Sequence, residues 1–205
     1  MDADEASENL KVIRQLMERP IRFSTMSGLS AILAGAAALG GLAADWHFYC
    51  SYDPRTAMWL NLAVWGGVFV AAFAAVTILT RLRERKQGMP FWSRIKKRIL
   101  LTILPPFAAG AGLTAAIIYR WYIGDGPNEW GLIPAVWMLF YGLALWQLGE
   151  FSPIEVRLLG AVFLAAGLVS GAFYQSFPYS YWSLGLSFGG FHIVYGILVW
   201  VRHGG

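Results

Sequence analysis

The 205-residue chain has one cysteine, Cys50, three histidines and twelve acidic side chains, and charged residues make up only 14% of it. A lone thiol closes no internal disulfide, so it says nothing about redox compartment. Soluble domains carry about a quarter charged residues, and this shortage excludes water as the solvent around most of the chain. No nucleophile stands with a base, no glycine loop is built to cradle phosphate, and no zinc-protease helix or cysteine pair occurs. The expectation is a protein that is not an enzyme and uses no cofactor or resident metal.

What is abundant is apolar: 57% of residues are hydrophobic and the mean hydropathy is +0.51. A helix needs roughly 20 mainly apolar residues to cross a bilayer, and six stretches qualify, at 26–44, 58–80, 100–118, 131–148, 156–174 and 181–201. None alternates in polarity as barrel strands do. The fold class expected is therefore an all-α membrane protein, a bundle of six transmembrane helices over 23–205 preceded by a short amphipathic cytoplasmic helix over 1–22. The run at 26–44 is longer than the roughly 7–15 apolar residues of a cleavable signal, so it reads as a retained span. The 23 glycines suit helices that pack through small residues in lipid.

Basic residues set the orientation, because they stay preferentially on the cytoplasmic side. Four precede the first span (Lys11, Arg14, Arg19, Arg22) and eight crowd the second connection (Arg81, Arg83, Arg85, Lys86, Arg94, Lys96, Lys97, Arg98). Arg157 and Arg202 join that side, and only Arg55 and Arg120 face them, so both termini are expected inside. In the leading helix Leu10, Ile13, Leu16 and Met17 recur at helical spacing, with acids early and bases late as the helix dipole favours. Such a helix can lie on the membrane or meet a cytoplasmic protein. The basic connection suits anionic headgroups, and with no nucleic-acid motif, direct nucleic-acid binding is not expected. At the opposite end fourteen aromatics, from Trp46 to Trp182, form an interfacial belt or the walls of a pocket.

Three groups of residues are candidates for function. Asp45, His47, Cys50 and Asp53 bring donor types together in the first outer connection, although their spacing fits no familiar zinc pattern. His192 is the clear ionisable residue within the counted spans, where such groups are costly and signal function. Gly185, Gly189, His192 and Gly196 follow at intervals of four, three and four, which places them on one stripe that faces another helix closely, with Tyr195 beside it. Gln147 and Glu150, a turn apart at the inner end of the fourth span, are either a cytoplasmic mouth or solvated helix-end residues. Gly28 and Gly35 mark a second packing stripe with Ser24, Ala31 and Ala38, and Gly160, Gly167 and Gly171 a third; such seams hold a bundle or a homo-oligomer together. Pro105-Pro106 is expected to interrupt the third span, and no carboxylate falls inside the counted spans for ion coupling. Asp53-Pro54 and Ser152-Pro153 read as helix starts, with Ser152 and Glu155 as a capping box.

The segments at 22–30, 140–145 and 188–196, the last being Phe188-Gly189-Gly190-Phe191-His192-Ile193-Val194-Tyr195-Gly196, resemble a family of uncharacterised bacterial integral membrane proteins. The resemblance implies a multi-pass protein of the bacterial cytoplasmic membrane with no catalytic motif to transfer, and its members often neighbour a winged-helix regulator. The expected function is a membrane sensor or regulatory scaffold acting on a cytoplasmic partner. The alternative is a channel or facilitator for a small solute.

Overall fold

The computed structural model describes residues 28–86, 88, 94–124, 129–150 and 152–203. The amphipathic helix expected over 1–22 lies outside them. Six helices are long and apolar enough to cross a membrane: α1 (Gly28–Ser51), α2 (Pro54–Lys86), α3 (Arg94–Tyr122), α4 (Ile133–Leu148) with a 3-10 turn before it (Trp130–Leu132), α5 (Ile154–Ala172), and a last span. That last span is composite. Its first part is α6 (Ser180–Leu186), a π-helical turn covers Ser187–Phe191, and α7 (His192–His203) completes it. The protein is an all-α bundle of six membrane-spanning helices, with no strand among the described residues.

The helix starts follow from local chemistry. Asp53 Oδ1 accepts the backbone N–H groups of Arg55 and Thr56, each at 3.1 Å, and so caps α2 where Pro54 has no N–H to offer. The capping box expected at Ser152 does not form. Pro153 takes the cap position with extended backbone, and the buried Ser152 hydroxyl has no partner, because α5 begins one residue later than the pattern anticipates. Nor do the two prolines break the third span. α3 runs through Pro105 and Pro106 as one helix, and the carbonyls of Leu101 and Thr102 lose the N–H donors that those positions would otherwise supply.

Two close-packed seams organise the bundle. α1 packs against α2 on one side and against α7 and the π turn on another, while α4 and α5 form the most extensive pair and α3 packs on α4. In the first seam a methyl group placed on Gly35 would come within 2.7 Å of the Gly189 carbonyl oxygen, and one on Gly196 within 2.6 Å of the Gly28 carbonyl oxygen. In the second, a methyl on either Gly142 or Gly160 would come within 2.9 Å of the other's carbonyl oxygen, and Gly167 meets Leu139. Small residues therefore let the backbones touch, the main source of helix association where lipid removes any hydrophobic driving force. Between the seams sits a core of large side chains, with Trp130, Met138 and Phe163 fully buried.

Candidate functional site

The π turn gives the last span two faces. Gly185, Gly189 and Gly196 turn toward α1, meeting Leu42, Leu39 and Ile32. His192, expected on the same stripe, instead points its ring toward α4 and α5. A π turn holds more residues than an α turn and delays the helix's angular progress; here it separates the imidazole from the glycines that flank it in sequence.

His192 is 8% exposed and both its ring nitrogens are engaged. Nδ1 lies 2.8 Å from the Phe188 carbonyl oxygen, and Nε2 lies 2.6 Å from the Tyr141 hydroxyl of α4. A carbonyl only accepts, so Nδ1 carries the hydrogen; in the neutral ring Nε2 is then the acceptor and Tyr141 the donor. Aromatic rings enclose the pair: Phe163 and Phe188 lie 4.9 Å from Tyr141 between centroids, and Phe188 stacks on the imidazole at 5.8 Å. Tyr195, one turn further along α7, is buried at 8% exposure. Below it, at the basic end, Arg202 of α7 donates to Glu155 of α5 at 3.1 Å. The arrangement is a polar tie between α4 and the last span within an aromatic shell, followed on the same helix by an ion pair at the membrane edge.

A second intramembrane site was not anticipated. α1 continues to Ser51, so Asp45 falls inside the first span, not in a connection, and is 2% exposed. The amide of Asn61 on α2, itself 1% exposed, donates to Asp45 Oδ1 at 2.8 Å. The Trp65 indole lies beside the carboxyl without reaching hydrogen-bond geometry, and the buried Tyr181 stands near it and packs on Trp65 at 6.2 Å. A carboxyl within the bundle is therefore present after all. The rest of the outer donor group disperses: His47 and Cys50 are exposed on α1, and Asp53 is exposed at the cap of α2. The Thr56 hydroxyl, and then the Thr56 backbone N–H, hold the Asp53 carboxyl below its ordinary value. Among the described residues no cluster of three or more His, Cys, Asp or Glu side chains could hold a metal.

Gln147 and Glu150 line an open groove of about 380 Å³ at the basic end, together with Arg98, Leu101, Thr102 and Pro105 of α3. At the other end the aromatics divide. Tyr52, Trp59, Tyr119, Tyr122, Tyr174 and Tyr179 are exposed as a belt requires, whereas Trp130 and Tyr181 belong to the core. Trp130 packs at 5.1 Å on Trp121 and at 6.2 Å on Trp59, tying α2, α3 and the start of α4 together.

No protein-family model matches the chain, and no solved structure matches it. Myo-inositol transporter 1A of the fungus Cryptococcus neoformans var. grubii is 28% identical over 159 residues, which covers 69% of this chain and 25% of the transporter. The chain thus spans about a quarter of the length of the curated protein it is similar to.

Proposed function

We propose that the protein is a membrane-embedded sensor and regulatory scaffold, in which a signal received by the bundle is passed at its basic end to a cytoplasmic partner through the segment 1–22. The observation that carries this reading is the Tyr141–His192 hydrogen bond placed where the π turn gives way to α7. Relaxing a π turn to α geometry turns the helix beyond it by about one residue, roughly 100°. Such a turn is an element with two arrangements, and the bond from α4 favours one of them. Rotation of α7 moves Tyr195 and Arg202 relative to Glu155, so a change at the middle of the bundle reaches the ion pair at its edge.

The reading is tested by a paired measurement on one preparation. A cytoplasmic protein is expected to co-purify with the full-length chain from native membranes and to be lost when 1–19 is deleted. Its recovery should change at least threefold with Tyr141→Phe, which removes only the hydroxyl. A second reading, a facilitator for a small polar solute, is favoured by the buried Asp45–Asn61 pair, because ionisable groups within spans mark solute pathways. The similarity to an inositol transporter points the same way. Uptake of myo-inositol into proteoliposomes, abolished by Asp45→Asn and accompanied by no partner, would replace the sensor with the facilitator.

A further inference from the structure

The groove between α3 and α4 has an unusual mixture of chemistry for the edge of a membrane bundle. Arg98 and Glu150, of opposite charge, both line it and both are exposed. Pro105 is on its wall. Leu101 and Thr102 line the same groove, and their carbonyls have lost their helical donors to Pro105 and Pro106. The Thr102 hydroxyl is turned back to the Arg98 carbonyl at 2.9 Å, so it does not serve them. Gln147 adds an amide that both donates and accepts. The groove therefore offers one guanidinium, one carboxylate and one side-chain amide, beside two residues whose carbonyls lack helical donors. Carbonyls at membrane depth need N–H or O–H partners, because hydrocarbon supplies none. Along the outer side Leu101 and Leu104 of α3 are more than half exposed, and Leu143 and Trp146 of α4 are partly so, giving an apolar track that leads away from the polar groove.

We infer that this groove binds one phospholipid with a primary-ammonium headgroup, of the phosphatidylethanolamine type, with its phosphate on Arg98, its ammonium among Glu150, Gln147 and the Leu101 and Thr102 carbonyls, and its acyl chains along Leu101, Leu104 and Leu143. The charges select among headgroups. Arg98 contacts other groups of the chain, and its five N–H donors allow it to take a phosphate oxygen as well. An anionic glycerol headgroup would satisfy Arg98 but bring a like charge or a plain hydroxyl to Glu150. A choline headgroup has the right charges but no N–H to give to carbonyls. Only a primary ammonium supplies three donors in a compact cation. This inference is independent of the Tyr141–His192 tie, and neither stands or falls with the other.

The test uses the full chain in nanodiscs with phosphatidylethanolamine, phosphatidylcholine and phosphatidylglycerol of identical acyl chains in equal amounts, with the retained lipid read by native mass spectrometry. Phosphatidylethanolamine should be retained over phosphatidylcholine by about tenfold, the worth of about one charge-assisted hydrogen bond. Mono- and dimethylation of the amine should lower retention step by step. Glu150→Gln should reduce the preference for the amine several-fold, and Arg98→Gln should weaken retention of every phospholipid. Both side chains are exposed, so unfolding midpoints should stay with the parent; the methylation series on the unaltered chain decides the matter even if they do not. Equal retention of the ethanolamine and choline lipids would overturn the proposal. So would a preference for phosphatidylglycerol lost only with Arg98→Gln, which would make the site plain basic surface.

Discussion

Asp45 and Asn61 are held to each other by what surrounds them. Both are almost wholly buried, and the Asn61 amide donates to the Asp45 carboxyl across the α1–α2 contact. A buried polar group that loses its partner costs about 1–3 kcal/mol, while replacing both partners by apolar groups can be nearly neutral. Asn61→Leu is accordingly expected to destabilise the bundle by about that amount. Asp45→Leu with Asn61→Leu should cost less than the two single changes added together. Thermal unfolding of the four proteins in one detergent closes the cycle, and strict additivity would show that the pair is not coupled. Asp45 eludes a hydropathy reading because the first apolar run ends at Ala44, and the acid looks like the start of a connection. Its signal was nonetheless in the spacing: Gly28, Ala31, Gly35, Ala38 and Leu42 advance by three and four residues, and the next step lands on Asp45. His192 was legible as a polar group inside a span. Its partner was not, since Tyr141 lies 51 residues away and the pairing requires knowing which helices adjoin.

At the scale of a helix, the seam between α1 and α7 separates glycines that are alike in sequence. A methyl on Gly196 would meet backbone, the Gly28 carbonyl at 2.6 Å, whereas one on Gly189 would meet chiefly the end of the Leu39 side chain. Backbone in a packed helix cannot step aside, and a leucine rotamer can. Gly196→Ala should therefore lower stability by about 1–3 kcal/mol, and Gly189→Ala by clearly less, with Ile197→Ala, at an exposed position, as the mild control. Denaturation in mixed micelles measures the order; an equal loss at Gly189 and Gly196 would mean that the two backbones do not touch at Gly28. The glycine stripes themselves were readable from intervals of three, four and seven. The π turn was not, because no residue type specifies it: Ser187–Phe191 widens so that His192 reaches α4 while Gly189 stays on α1. Helix integrity at Pro105-Pro106 was misjudged for a related reason, since proline removes donors without forbidding the helix when neighbours hold it.

For the molecule as a whole, six apolar runs anticipated the number of spans. The pairing of α4 with α5 and of α1 with α7 is tertiary information that no run of hydropathy contains. Orientation is open to direct measurement. With Cys50 changed to Ser, a cysteine introduced at the exposed Ser176 should be modified from outside intact cells by an impermeant maleimide, and one at the exposed Gly88 should react only after lysis. Labelling of Gly88 in intact cells would invert the arrangement and place the basic connection outside.

The spans differ greatly in length. α2 has 33 residues and α5 has 19, or about 50 Å against about 28 Å of helix, and the hydrocarbon layer is about 30 Å thick. The short pair α4 and α5 fits that thickness upright, which leaves about 20 Å of α2 to be taken up by tilt or by projection. Its last turns carry Arg81, Arg83, Arg85 and Lys86, and the buried Glu84 is paired with Lys96 of α3. To the extent that the excess is taken up by projection, the Glu84–Lys96 pair lies past the hydrocarbon, and Arg83, Arg85 and Lys86 at the end of α2 sit in water or among headgroups, where their charge carries little desolvation cost.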